Sequence, residues 1–128
     1  MPPLSRVFFT LAGLSGLLAV LLGAFGAHLA RGFSAPELRA VYETGNHYHF
    51  YHTLGLLAVA LLSLHWPESV FFKWSGWLMV AGVVLFSGSL YALSLSGVRW
   101  WGAITPVGGT AFLAAWLLLI VGVLKVPQ

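Results

Sequence analysis

The chain has 128 residues, 59% of them hydrophobic and only 7% charged, where an ordinary soluble domain carries about 25% charged residues. That composition describes one integral membrane domain, residues 1–128, and excludes a soluble globular one. The formal charge of +3 comes from scattered basic residues with no run to track a phosphate backbone, so nucleic acid is not a partner; the absence of cysteine excludes disulfides, thiolate metal sites and a cysteine nucleophile.

Arg6 precedes the uncharged apolar segment Val7–Leu29, which predicts a first helix over about residues 7–29 that crosses the bilayer. A secretory leader shows the same order of basic, apolar and small residues, but its apolar region ends by about 15 residues, so the length here predicts a retained span. Ala12, Gly16, Ala19, Gly23 and Ala27 recur at spacings of four, three, four and four. Gly16, Ala19, Gly23 and Ala27 therefore form a smooth stripe that lets another backbone approach, as small residues do between membrane helices. His28 falls to the side of that stripe.

The connection from Ala30 to Thr44 is the longest in the chain. Ser34, Pro36 and Glu37 make a capping-box start, and Leu38, Val41 and Tyr42 share one face. Residues 35–44 are thus either a short interfacial helix or a prefix of helix two broken at Gly45. Helix two is expected over about 45–65, opening with His47, His49 and His52 and ending at His65-Trp66-Pro67. Helix three, about 72–95, has Lys73 and Trp74 as interfacial anchors and closes with Phe86-Ser87-Gly88-Ser89-Leu90-Tyr91. Helix four, about 103–124, opens at Thr105-Pro106, with threonine as N-cap and Gly108 and Gly109 following. Trp66, Trp74, Trp77, Trp100 and Trp101 all fall near helix ends, as an aromatic belt requires.

The expected fold is all-α, a four-helix transmembrane bundle running up-down-up-down. In it every polar or glycine-rich motif lies at one membrane face, since the end of one helix and the start of the next share a side. Polar residues at membrane depth are costly and turn toward a bundle interior or cavity. The expected pocket residues are His28, His52, Ser87, Ser89, Tyr91, Thr105, Gly108 and Gly109, with His28, His52, Tyr91 and Thr105 meeting in one cluster. His47 and His49 are read as interfacial residues needing no buried partner. His49 and His52, three apart, share a helix face and are weak candidates for metal or haem ligation, with no carboxylate inside the spans to support them. The opening Thr105–Gly109 offers free backbone N–H groups for an anion, or else serves capping and close packing. Ser87 and Ser89 resemble polar glue between helices rather than nucleophiles, because no base accompanies them.

Gly23-Ala24-Phe25-Gly26-Ala27-His28, Tyr51-His52-Thr53-Leu54, Leu85-Phe86-Ser87-Gly88-Ser89-Leu90-Tyr91 and Thr105-Pro106-Val107-Gly108-Gly109 resemble the successive signatures of domain-of-unknown-function family 423. These are small bacterial membrane proteins similar to eukaryotic transmembrane protein 256. The resemblance implies a four-helix fold in the bacterial cytoplasmic (inner) membrane, and it names no activity and no cofactor. The sequence departs from the pattern at His49, where glutamine is more frequent, and at Ala115 before Trp116, where glycine is common.

The function expected from these features is non-enzymatic: a small membrane protein with a polar pocket at one face, embedded in lipid and forming a homo-oligomer or an accessory subunit of a membrane complex. The alternatives are a binder of lipid, quinone or haem through His28 and His52, and a small transporter or channel subunit.

Overall fold

Prolines and one glycine punctuate the chain. The computed structural model, which describes residues 1–29, 32 and 35–128, begins with α1 (Pro3–Leu29). In α2 (Pro36–His65) the proline sits in the first turn, where a missing N–H leaves no bond unmade. Pro67 stops the chain from continuing as helix, and Ser69 caps the next one by accepting from the Phe72 N–H at 3.3 Å. α3 (Val70–Gly82), a π-helical segment (Val83–Ser87) and α4 (Gly88–Ser96) follow as one continuous rod. Gly97 ends it in the left-handed conformation, φ 72°, its N–H bonded to the Leu93 carbonyl at 2.7 Å. A 3₁₀ turn (Arg99–Ala103) leads into α5 (Thr105–Lys125). Among the described residues, three of the four rods, Pro3–Leu29, Val70–Ser96 and Arg99–Lys125, are long and apolar enough to cross a membrane. α2, the longest helix at 30 residues, carries the histidine-rich stretch near its middle.

Two local expectations change. Residues 36–65 form one helix without a break, because Gly45 serves packing rather than a turn: a Cβ there would lie 3.0 Å from the Leu90 Cβ and 3.4 Å from the Ser87 carbonyl oxygen. Thr105 is not the N-cap. The 3₁₀ turn carries the chain into α5 with Ile104 at the cap, and the Val107 and Gly108 N–H groups donate to the Ile104 carbonyl at 3.0 and 3.4 Å. The expected capping residue Ser34 lies outside the described residues; Ala35 stands at the cap position of α2 with no side-chain bond.

Successive rods pair antiparallel. Along α1 and α2, Ser15 meets Thr53, the Ala19 carbonyl meets Asn46 and the Leu22 carbonyl meets Tyr42. Between α2 and the third rod, Gly45 faces Leu90 and Gly55 faces Met79. Against α5, Phe72 lies over Gly122, Ser75 donates to the Ala115 carbonyl at 2.7 Å, and the Phe86 backbone presses on Gly108. That last contact admits no side chain at all, since a Cβ on Gly108 would run into the Phe86 main chain. α1 leans mainly on α2 and reaches α3 near its start, where Phe8 seats on Gly76 and meets Trp77 edge-on.

The two ends of the molecule are built differently. Toward the Trp66–Ser69 turn, Phe8, Leu56, Val59, Ala60, Phe72 and Met79 pack with Ala12 and Ala115 into a buried apolar core. Toward the other end the interior holds Asn46, His49, His52, Thr53, Ser87 and Ser89, each at most 9% exposed.

Candidate functional site

α2 packs between α1 and the third rod, and its side chains also reach α5, so a rotation of about 60° between residues three apart is enough to hand them to different neighbours. Asn46, His49 and Thr53 turn toward α1 and α4, whereas His52 turns toward α5. His49 and His52 therefore do not converge on a common ligand, and among the described residues no three histidine or carboxylate side chains come together.

His49 is 4% exposed and bonded at both ring nitrogens: Nδ1 to the Tyr91 hydroxyl at 3.0 Å and Nε2 to Ser15 Oγ at 3.1 Å. The expectation of a surface residue without a partner is thus corrected. α1 supplies a serine at its mid-length and α4 a tyrosine long enough to reach across, so the imidazole is drawn inward. One assignment of protons pairs every donor along these bonds. Asn46 Nδ2 can only donate, and it does so to the Ala19 carbonyl at 3.0 Å and the Tyr91 oxygen at 3.1 Å. The single Tyr91 proton then goes to His49 Nδ1, which leaves Nε2–H to donate to Ser15. Ser15 donates to Thr53 Oγ1 at 2.6 Å, and Thr53 donates to the His49 carbonyl at 2.8 Å. One directed chain, Asn46–Tyr91–His49–Ser15–Thr53, joins three helices.

His52, 5% exposed, is held by rings. The Trp116 indole N–H donates to Nε2 at 3.0 Å, so Nδ1 carries the proton and donates to the Tyr48 carbonyl at 2.8 Å. The imidazole stacks on Phe112, centroids 3.4 Å apart and planes within 10°, and Tyr48 lies alongside.

The other expected residues scatter. His28 is exposed at the end of α1 and does not join His52, because α1 follows α2 and never meets α5 at that level. Thr105 bonds Ser89 at 2.6 Å, tying α5 to α4, and Ser89 also donates to the Phe86 carbonyl. The Ser87 hydroxyl is buried with no hydrogen-bond partner among the described residues. Gly108 and Gly109 pack on Phe86. With the Val107 and Gly108 N–H groups already bonded, the opening of α5 offers no cluster of free donors. On α1, Ala19 is fully buried and Gly16 and Gly23 face Thr53 and Asn46, but Ala27 is exposed; Gly26, under the Tyr42 ring, takes its place.

Because α1 departs from the third rod beyond Phe8, a groove of about 460 Å³ opens between them. Leu11, Leu14, Leu18 and Leu22 form one wall, Val80, Val83 and Val84 the other, and Ser15, His49 and Tyr91 line its floor. The π-helical segment contributes Val83 and Val84, and beside it a Cβ on Gly88 would meet nothing within 4 Å. A smaller polar recess of about 260 Å³, lined by Arg39, Tyr42, Glu43, Asn46 and His47, lies at the end of α1 and α2.

Ser15, Asn46, Thr53 and Trp116 are absent from the residues expected from sequence. Ser15 had a signal, being a polar residue in the middle of an otherwise apolar span. Asn46, His49 and Thr53 recur at three and four, the spacing of one helix face.

The profile of the family described as "Protein of unknown function (DUF423)" matches residues 22–109. The chain is 47% identical over 120 residues to the UPF0382 membrane protein YwdK of Bacillus subtilis, covering 94% of this chain and 98% of that one. It is 44% identical over 120 residues to the UPF0382 membrane protein SERP0230 of Staphylococcus epidermidis, covering 94% and 97%. With the UPF0382 inner membrane protein YgdD of Escherichia coli K12 the identity is 44% over 125 residues, covering 97% and 94%. No solved structure matches the chain.

Proposed function

The chain belongs to the DUF423 family, and on that premise we propose that it is a four-span, up-down-up-down protein of the bacterial cytoplasmic membrane whose lateral groove holds a membrane amphiphile without transforming it. Three apolar rods of membrane-crossing length, antiparallel pairing of successive helices and relatives named as membrane proteins support the topology. The observation that carries the function is the groove itself. Leucine and valine walls suit an acyl or prenyl tail, and the Ser15–His49–Tyr91 floor supplies the few placed polar groups that orient a ligand. Ser15 and His49 meet on that floor at 3.1 Å, but Nε2 carries its own proton and the Ser15 proton is committed to Thr53, so the imidazole is not set to deprotonate the hydroxyl, which favours binding over catalysis. The remaining expectation, an oligomer or accessory subunit, draws support from the outer face of α1, where Leu14, Leu17, Leu18, Leu21 and Phe25 are each more than half exposed.

Native mass spectrometry of protein released from mild detergent tests both statements. The wild-type protein should retain a lipid-sized adduct that the Ser15→Leu variant loses, and should fly as a discrete species larger than a monomer. Equal retention by both proteins would overturn the groove as the binding site, and a monomer under the gentlest release would overturn the oligomer.

A further inference from the structure

We infer that the groove receives the ring carbonyl of a neutral isoprenoid quinone, and that His49 changes tautomer when the carbonyl is held. This rests on the proposal that the groove binds an amphiphile, and it identifies the chemical class of that amphiphile.

Charge, depth and hydrogen-bond direction each select this occupant. No lysine, arginine or carboxylate lines the groove, so a phosphate or carboxylate head would be buried there without a counter-charge. Along α1, Ser15 lies about 13 Å from Arg6 and about 20 Å from His28 at ~1.5 Å per residue. A phospholipid keeps its head group outside the hydrocarbon core, beyond reach of that floor. A neutral ring on a long apolar tail enters the core at little cost, and its tail finds the leucine and valine walls. The π-helical segment and the bare face of Gly88 leave the width a ring needs.

The floor then reads an acceptor. In the protein alone Tyr91 gives its proton to His49 Nδ1. A carbonyl that takes the Tyr91 proton leaves Nδ1 facing a hydroxyl oxygen with no donor between them. An unpaired ring nitrogen at this depth is unfavourable, and the imidazole restores the bond by carrying its proton on Nδ1, so that Tyr91 accepts from both Asn46 and His49. Nε2 becomes the acceptor for Ser15, and Thr53 donates to Ser15 instead of to the His49 carbonyl. No net proton is gained or lost and no bond other than hydrogen bonds is made. A head group that only donates leaves Nδ1 unprotonated.

The test titrates decylubiquinone into full-length protein carrying isotopically labelled histidine in phosphatidylcholine nanodiscs, read by nitrogen NMR. The His49 signals, identified by their loss in His49→Gln, should change saturably from the Nε2–H to the Nδ1–H pattern, while His52 keeps its Nδ1–H pattern. Gly88→Leu, whose Cβ would meet nothing within 4 Å and which therefore grows into the open space of the groove, should weaken the titration roughly tenfold or more and leave His52 unchanged. If phosphatidylglycerol or a fatty acid moves the His49 signals and the quinone does not, and Gly88→Leu abolishes that response, the quinone assignment is overturned while the groove stands as a lipid site. If none of these ligands moves His49 in either protein, the groove proposal falls with it.

Discussion

Two histidines one turn apart on α2 are made tolerable inside the protein in opposite ways. His52 is held by Phe112, Tyr48 and Trp116 on the α5 side, where these rings border a recess of about 520 Å³. His49 is satisfied by hydroxyls and an amide on the α1 and α4 side, where the helices separate and a groove opens. Burying a polar ring therefore needs only a partner for each nitrogen. Whether those partners are stacked rings or hydroxyls that can exchange donor and acceptor roles decides whether the ring is a structural post or can answer a ligand.

The largest break in this contrast should come from Gly108→Leu. Prising α5 from Phe86 dismantles the His52 cradle, and overpacking against main chain should cost at least about 3 kcal/mol; loss of folded protein in size-exclusion profiles, with Gly109→Ala tolerated, is the expected result. His52→Ala comes next. It removes the stacked ring and leaves the Trp116 indole without its acceptor, so unfolding in detergent should show a loss of about 2–4 kcal/mol with amphiphile retention preserved. His49→Ala should cost less, about 1–2 kcal/mol, since Tyr91 and Asn46 still bond each other and Ser15 still bonds Thr53, yet it should abolish retention. The smallest effect is expected for Ser15→Ala, about 0.6 kcal/mol, in line with hydrogen bonds between membrane helices. A double-mutant cycle sharpens the comparison: Ser15→Ala and His49→Ala should couple, whereas Ser15→Ala and His52→Ala should be additive. Equal coupling in both cycles would mean that the two sides of α2 form one unit after all.

On α1 the same logic ranks glycines. Gly26→Leu should be the most damaging because it meets the Tyr42 ring, Gly23→Leu intermediate because its Cβ would lie 3.1 Å from Asn46 Oδ1, and Gly16→Leu milder beside the Thr53 methyl at 3.5 Å. Gly32→Leu, exposed beyond the end of α1, should be tolerated. Folded yield measures the series.

Composition and spacing by themselves determined the all-helical character and the apolar, membrane-crossing lengths of the rods. Apolar runs of membrane-crossing length and Pro67 are local signals, and local signals survive in a sequence read one window at a time. The stripe on α1 was equally legible at Ala12, Gly16 and Ala19, and it failed at Ala27 because a straight helix drifts off a fixed spacing, passing the contact to Gly26. What only the tertiary structure decided was the partner of each polar group. His28 and His52 end up apart because α1 lies against α2 and not α5; Ser15 becomes a ligand of His49 because the groove side of α1 faces Tyr91; Gly45 is a contact and not a break because Leu90 lies over it. Helical periodicity gives each residue an azimuth, but which helix stands at that azimuth depends on how all the rods pack together, and no single stretch of sequence contains that information.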